Sequence, residues 1–396
     1  MPTDNRNHAK SLHVTAKPVG SLCSLNCTYC YYAYADKPPA IGSAKSAIMS
    51  DATLEELIRG LVETSDTSEI HICWHGGEPL LAGMDFYERA VALQAQYCPP
   101  GRRFVNAFQT SGVGLDAEWA RFLADNAFLV GLSIDGPKFL HDRCRHDRMG
   151  RSRFAASLSA LHQLQRFGVP VNSLTTVGTH NFEHGARIYR FLKQLGFKFM
   201  QFIPVVERLN AKKRPAPPPG PAAKDEAMHP VADWSVPATG FGRFLNDVFD
   251  IWLRHDTGRV SVQNFDLLLR ALLGAPSGLC VSARRCGDCL ALEADGSLYA
   301  CDHYVFPEYY LGKLGQETLG QLANRPSQHA FGEWKQESLP DDCLSCSFRQ
   351  ACHGGCPKHR FIPADRGHSR NYLCPSYKNF FAHAAPRMAE RMTAPE

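Results

Sequence analysis

The sequence predicts an α/β protein built on a partial barrel of six strand–helix units. Three observations predict it. Strand-like runs alternate with amphipathic helical runs six times over about 200 residues, which implies βαβ crossovers and a parallel sheet. Several strands end in glycine or polar turns: His75-Gly76-Gly77-Glu78-Pro79, Gln109-Thr110-Ser111-Gly112 and Ser133-Ile134-Asp135-Gly136-Pro137. In α/β barrels those ends form the active-site face. A cysteine triplet also follows a strand. Six units suit a partial barrel better than a closed eight-unit one, although pattern alone leaves a doubly wound sheet open.

SLHVTAKP, at 11–18, is a short strand leading into the first cysteine loop. Ser50 and Asp51 are candidate N-caps for a helix. Its residues Leu54, Leu57, Ile58, Leu61 and Val62 form one apolar face. EIHICWHGGEP is a strand ending in a glycine turn. Helices near 84–97, 116–126, 152–167 and 183–195 precede the strands RFVNAFQTSG, FLVGLSIDGP, VPVNSLTTVG and FKFMQFIPVVE. Residues 211–239, with RPAPPPGPAA, read as an exposed Pro-rich insertion. Phe241, Phe244, Leu245, Val248, Phe249 and Trp252 then mark a core-packing helix, and QNFDLLLRALLG another. CLALEADGSLYACDHY turns about Asp295-Gly296, a strong hairpin signal. The expected division is a barrel over 11–240, a helical connector over 241–274, a cysteine-rich domain over 275–376 and a C-terminal helix or tail over 377–396.

The chain has 396 residues and a net charge of +4, with 44% hydrophobic and 21% charged residues. That is too apolar for a disordered chain. No run is long and apolar enough for a membrane span, and residues 1–15 lack a signal-peptide core. A cytoplasmic location is expected. Lys212-Lys213-Arg214 is the main basic cluster and reads as a solvated loop, so neither nucleic acid nor membrane is an expected partner.

Fifteen cysteines stand out. In a large chain without a signal peptide they point to metal and not to disulfides. Cys23-x3-Cys27-x2-Cys30 offers three thiolates within eight residues. A 4Fe-4S cluster usually takes four cysteines, so three would leave one iron open to a small molecule. Zinc ribbons prefer paired Cys-x2-Cys knuckles. Cys280, Cys286, Cys289, Cys301, Cys343, Cys346, Cys352, Cys356 and Cys374 crowd the last third. Cys73, Cys98 and Cys144 are scattered and read as ordinary buried thiols.

CSLNCTYCYY and WHGGEP resemble the signature and the glycine-rich motif of the radical S-adenosylmethionine superfamily. The resemblance implies a partial (β/α)6 TIM-type barrel. It also implies reductive cleavage of S-adenosylmethionine to a 5′-deoxyadenosyl radical. The last third resembles a SPASM domain carrying two fully ligated 4Fe-4S clusters, which makes three with the first. By that resemblance Cys280, Cys286, Cys301 and Cys356 hold one, and Cys343, Cys346, Cys352 and Cys374 the other. Spacing alone does not give this interleaving, and Cys289 competes with Cys286 until their distances to Cys301 are weighed.

From about 11 to 385 the chain is similar to anaerobic sulfatase-maturating enzymes. GGEPLLAG, KFMQFIPVVER, CDHYVFPEYYLGKL, ACHGGCPK and NYLCPSYKNFF carry the likeness. It implies oxidation of a sulfatase Cys or Ser to Cα-formylglycine. The implied partners are an unfolded or nascent sulfatase polypeptide and a reductant such as flavodoxin or ferredoxin. Asp302 matches the family's proton-accepting base; without the resemblance it would read as a hairpin-end carboxylate. Tyr29, Gly77, Ser133, Arg145 and Val206 match cofactor-binding positions. Arg145 suits the cofactor carboxylate because a guanidinium pairs with one in two-pronged geometry. Tyr32, His75 and Gln109 are expected to line the substrate site. His75 departs from the family pattern, where some members have Gln, and this leaves the client peptide less defined.

The rivals are a SPASM enzyme that modifies or crosslinks another peptide, a non-catalytic iron–sulfur electron carrier, and a zinc-dependent nucleic-acid binder. Peptide-crosslinking enzymes often carry a leader-recognition domain, and only about ten residues precede the first strand here. An electron carrier needs neither an open triplet nor the GGEP turn. The zinc reading lacks basic clustering.

Overall fold

A computed structural model of the chain describes residues 12–34, 48–223 and 228–393. Parts of the expected N-terminal segment, Pro-rich stretch and C-terminal tail (1–11, 224–227, 394–396) lie outside the described residues. In chain order the first half runs β1 (His13–Ala16), α1 (Tyr31–Tyr34), α2 (Asp51–Thr64), β2 (Glu69–Trp74), α3 (Met84–Tyr97), β3 (Arg103–Thr110), α4 (Ala117–Asp125), β4 (Leu129–Ser133), α5 (Lys138–His141), α6 (Phe154–Arg166), β5 (Val171–Val177), α7 (Gly185–Gln194) and β6 (Phe199–Pro204). Then come α8 (Gly240–His255), β7 (Ser261–Val262) and α9 (Gln263–Leu272). The last third holds β8 (Cys289–Leu292), β9 (Ser297–Tyr299), β10 (Tyr310–Lys313), α10 (Leu319–Ala323), α11 (Pro326–Glu337), α12 (Asp341–Leu344), α13 (Arg349–Cys352), β11 (Arg360–Pro363), β12 (Ser369–Asn371) and α14 (Cys374–Thr393).

The six expected strands are β1 to β6, parallel and adjacent in sequence order. Ser50 caps α2, accepting from the Thr53 amide at 3.2 Å, and Leu54, Leu57, Ile58 and Leu61 are buried as the periodicity predicts. Strand alternation decides what enters the barrel. In β2, Ile70, Ile72 and Trp74 are buried, whereas His71 and Cys73 take the other face. Cys73 stands opposite Thr15 on one side and Ala107 on the other.

The sheet does not stop at six. β8 joins the free edge of β1 in parallel, and β9 and β10 continue it antiparallel, while β7 extends the far edge. An unpaired edge row of N–H and C=O groups seeks such partners. The Asp295-Gly296 hairpin forms as expected, with Gly296 at φ 87° and the Glu293 amide donating to Ser297 O at 2.9 Å.

The Pro-rich stretch corrects the expectation of an exposed insertion. Pro215, Ala216 and Pro218 are buried. Tyr304 Oη donates to Pro219 O at 2.8 Å, and Gly220 lies so near Tyr309 that a Cβ would meet its hydroxyl at 2.2 Å. Proline removes ladder donors but does not force a segment into solvent.

Two apolar layers complete the fold. One joins β1–β3 to α2, α3 and α4; the other joins β5 and β6 to α7, α8, α9 and α14. Phe249 of α8 is fully buried, with ring centroids 5.2 Å from Phe265 and 6.2 Å from Phe380. Gly242 lets α14 approach, since a Cβ there would meet Ser376 O at 2.3 Å. Phe249→Ala is expected to cost about 3–5 kcal/mol in urea unfolding. A cost below about 1 kcal/mol would show that this layer is not close-packed.

Candidate active site and cysteine groups

The first cysteine loop hangs on the segment after α5. The Asn26 amide donates to His146 O at 2.8 Å and the Thr28 amide to Cys144 O at 3.1 Å. The GGEP turn lies against the same loop, with the Gly77 amide on Gly20 O and the Glu78 amide on Leu22 O, both at 2.8 Å. A Cβ on Gly77 would meet Leu22 O at 1.9 Å, so only glycine fits. Buried Glu78 ties this turn to the end of β3. It accepts from Thr110 Oγ1 at 2.6 Å, from Ser111 Oγ at 2.5 Å and from the Ser111 amide at 3.0 Å.

Beside the loop, Asp135 gathers three donors: Tyr29 Oη at 2.5 Å, Arg145 Nε at 2.8 Å and the Thr176 amide at 2.9 Å. Burial opposes its charge, but Arg145 and the two nearby imidazoles outweigh burial and hold the carboxyl below its usual range. Arg145 is therefore already paired through Nε. Ser133 ends β4, and Val206 is buried just beyond β6.

At the seam between β1 and the C-terminal hairpin lies a polar nest. Lys17 is fully buried; its Nζ stands 2.6 Å from Asp302 Oδ1 and 3.2 Å from Glu293 Oε1. It also lies 4.0 Å from the centre of the Tyr32 ring. Tyr31 Oη donates to Asp302 Oδ2 at 2.5 Å, and Tyr32 Oη donates to Glu293. Burial pushes the Asp302 carboxyl up, yet Lys17, His75 and His303 prevail and hold it well below the carboxylate range. Its side chain keeps 21% exposure, but Oδ1 is buried against Lys17 and Oδ2 accepts from Tyr31. His75 borders Asp302 and Lys17, with its Nδ1 unpartnered. Gln109 Nε2 donates to Cys73 Sγ at 3.4 Å. The structure thus brings Asp302, Tyr32 and His75 together, with Gln109 on the neighbouring strand end.

The late cysteines form two groups. Cys343, Cys346, Cys352 and Cys374 line one cavity with Phe348, Tyr377 and Phe381. Cys280, Cys286, Cys301 and Cys356 lie near one another, with Cys289 also beside Cys280 and Cys301, and Cys356 Sγ lies 3.7 Å from His303 Nδ1. Cys286 packs with Cys301 in an apolar cluster, whereas Cys289 sits in β8 with Thr15 Oγ1 at 3.6 Å. Burial pushes the Cys27, Cys286 and Cys352 thiols up to about 12 and Cys23 to about 11. Such thiols stay protonated until a metal displaces the proton. Among the described residues no three Cys, His, Asp or Glu side chains close around a single ion. The donor sets suit a cluster: a four-thiol cavity, and a triplet beside buried polar atoms with no hydrogen-bond partner, among them Ser24 Oγ and His180 Nδ1.

Over residues 18–192 the chain matches the Radical SAM superfamily, and over 280–347 an iron–sulfur cluster-binding domain. It is 38% identical over 381 residues to the serine-type anaerobic sulfatase-maturating enzyme of Bacteroides thetaiotaomicron, covering 96% of this chain and 91% of that one. The chain belongs to the anaerobic sulfatase-maturating enzymes. A cysteine-type sulfatase-maturating enzyme from Clostridium perfringens is 33% identical over 95% of this chain and 97% of its own. The solved structure of anSMEcpe with bound AdoMet and Cp18Cys peptide superposes with a TM-score of 0.82 at 32% identity, covering 96% of this chain and 98% of that one.

Sequence reasoning missed several residues of this sulfatase-maturating site. Lys17 at a strand end, Glu78 in the GGEP turn, Tyr31 in the aromatic tail of the cysteine motif and Glu293 in the hairpin run carry no role on sequence pattern alone. The signal that could have found Lys17 is its charge at the end of an apolar strand, where a lysine is rarely buried without a partner. Gly77→Ala is expected to cost at least about 1–3 kcal/mol by overpacking and to speed hydrogen exchange in peptides over 18–30 and 75–80. Unchanged exchange there would mean the turn does not brace the loop.

Proposed function

We propose that this chain oxidises a Cys or Ser of a sulfatase polypeptide to Cα-formylglycine. The carrying observation is the Asp302 carboxylate, inside the cluster-binding match, paired with Lys17 and bonded to Tyr31 of the helix that follows the first cysteine loop. Cys23, Cys27 and Cys30 would hold the cluster that binds S-adenosylmethionine. Cys280, Cys286, Cys301 and Cys356 would hold a second, and Cys343, Cys346, Cys352 and Cys374 a third. Tyr29, Gly77, Ser133, Arg145 and Val206 would position S-adenosylmethionine. When bound, these groups supply a 5′-deoxyadenosyl radical that takes hydrogen from the target Cβ, and an acceptor for the electron left behind.

The chain's own part is the proton. Asp302 would accept it from the target thiol or hydroxyl, because a carboxylate within hydrogen-bond reach serves as a general base. Lys17 keeps that carboxylate charged and Tyr31 fixes one of its oxygens. Tyr32, His75 and Gln109 would line the substrate mouth.

A flavodoxin- or ferredoxin-like reductant would approach the opening beside Cys23, lined by Arg148, Arg151, Arg153 and the exposed Met149. Such chemistry suits the reducing cytoplasm. Among the described residues no helix is long and apolar enough to cross a membrane.

The test is anaerobic mass spectrometry of reconstituted protein with S-adenosylmethionine, dithionite and sulfatase peptides. A Ser peptide two hydrogens lighter, or a Cys peptide that has lost sulfur and two hydrogens and gained one oxygen, is expected, with matching 5′-deoxyadenosine. 5′-Deoxyadenosine with unaltered peptides would point to another client. Asp302→Asn is expected to lower formylglycine about 10²–10⁴-fold while 5′-deoxyadenosine still forms; a near-normal yield would remove Asp302 as the base. Since Asp302 is held below its usual range, the rate should show no acid limb from it between about pH 5 and 8. Lys17→Met should raise that carboxyl's pKa and create one, with the rate falling as pH falls. A flat profile in the variant would contradict the coupling.

A further inference from the structure

Among the described residues, two buried cations near the late cysteines have no carboxylate partner. Lys335 of α11 is 0% exposed and Arg360 of β11 is 2% exposed. Lys335 Nζ donates to the carbonyls of Cys280, Val281 and Ala283. Arg360 donates to the carbonyls of Lys335, His353, Gly354 and Gly355 and to Ser338 Oγ. Among the described residues no Asp or Glu pairs with either. Burial lowers the pKa of both, and what offsets it is thiols, with one phenol: Cys286, Cys356 and Cys280 around Lys335, and Cys343, Cys356, Tyr304 and Cys352 around Arg360. Adjacent buried cations with no counter-charge are strongly unfavourable. The sequence nevertheless makes room for them. A Cβ on Gly354 would meet Arg360 Nη2 at 2.6 Å.

We propose that Lys335 and Arg360 are the built-in counter-charges of the two C-terminal iron–sulfur clusters, with Arg360 shared between them. This rests on the ligand assignment above. Four thiolates around each cluster bring net negative charge, and reduction adds one more. A fixed buried cation favours the reduced form and raises the potential. Lys335 thereby tunes the Cys280 group, and Arg360, near thiols of both groups, tunes both.

The test uses holoenzyme carrying Lys335→Met, Arg360→Met and the charge-keeping Lys335→Arg and Arg360→Lys. Iron content and Mössbauer spectra count the clusters first. EPR-monitored redox titration then reads the midpoints. Each Met variant should move at least one C-terminal midpoint negative by about tenfold in the reduced-to-oxidised ratio, about 59 mV for one electron. The charge-keeping variants should stay near wild type. Full clusters with unmoved midpoints in the Met variants would overturn the proposal. If the Met variants lose clusters that the charge-keeping ones retain, charge is upheld as the cause. If both kinds lose them, side-chain shape is the cause and the proposal falls. Wild-type protein holding only one cluster would sink the ligand assignment itself, before any titration.

Discussion

The ammonium of Lys17 is the point at which the first strand and the C-terminal hairpin meet. It stands just beyond β1, fully buried, between Glu293 and Asp302 and against the Tyr32 ring. A buried charge of this kind costs several kcal/mol unless paired, and here two carboxylates offset it. Those carboxylates come from the β8–β9 turn and the segment after β9. The tyrosines that donate to them come from the helix after the first cysteine loop. One side chain thereby sets the position of the loop, the barrel edge and the proposed base together.

A second knot at Asp135 works by the same rule on the opposite side of the loop. Tyr29, Arg145 and Thr176 converge on one buried carboxylate, fixing the strand ends of β4 and β5 relative to the cysteines. Both knots place ionised groups where apolar packing would be more stable. That is the pattern expected where geometry serves chemistry.

Much of the fold was legible because its signals are local. Periodicity in 50–65 named the buried face of α2, and 69–79 read as a strand ending in a glycine turn. The cysteine spacings and the GGEP turn were legible for the same reason. Long-range facts were not. CLAL in β8 looks like any short strand, and nothing near it says that it pairs with HVTA. Lys335 and Arg360 look like surface charges in sequence, because burial is a property of neighbours that arrive from elsewhere. The proline run was misread as exposed because its contacts, Tyr304 and Tyr309, lie about ninety residues away.

The pairing of β1 with β8 carries a consequence for how the chain comes together. His13 is matched to Cys289, a separation of 276 residues (289 minus 13). Contacts this distant in sequence form late, after the entropy of closing a long loop has been met. During synthesis the first strand must therefore wait, with one edge bare, until most of the polypeptide has left the ribosome. Its cysteine loop, braced from the same edge, waits with it. The contacts of Tyr31 and Tyr32 with Asp302 and Glu293, which hold the helix after that loop, form only once the hairpin is in place.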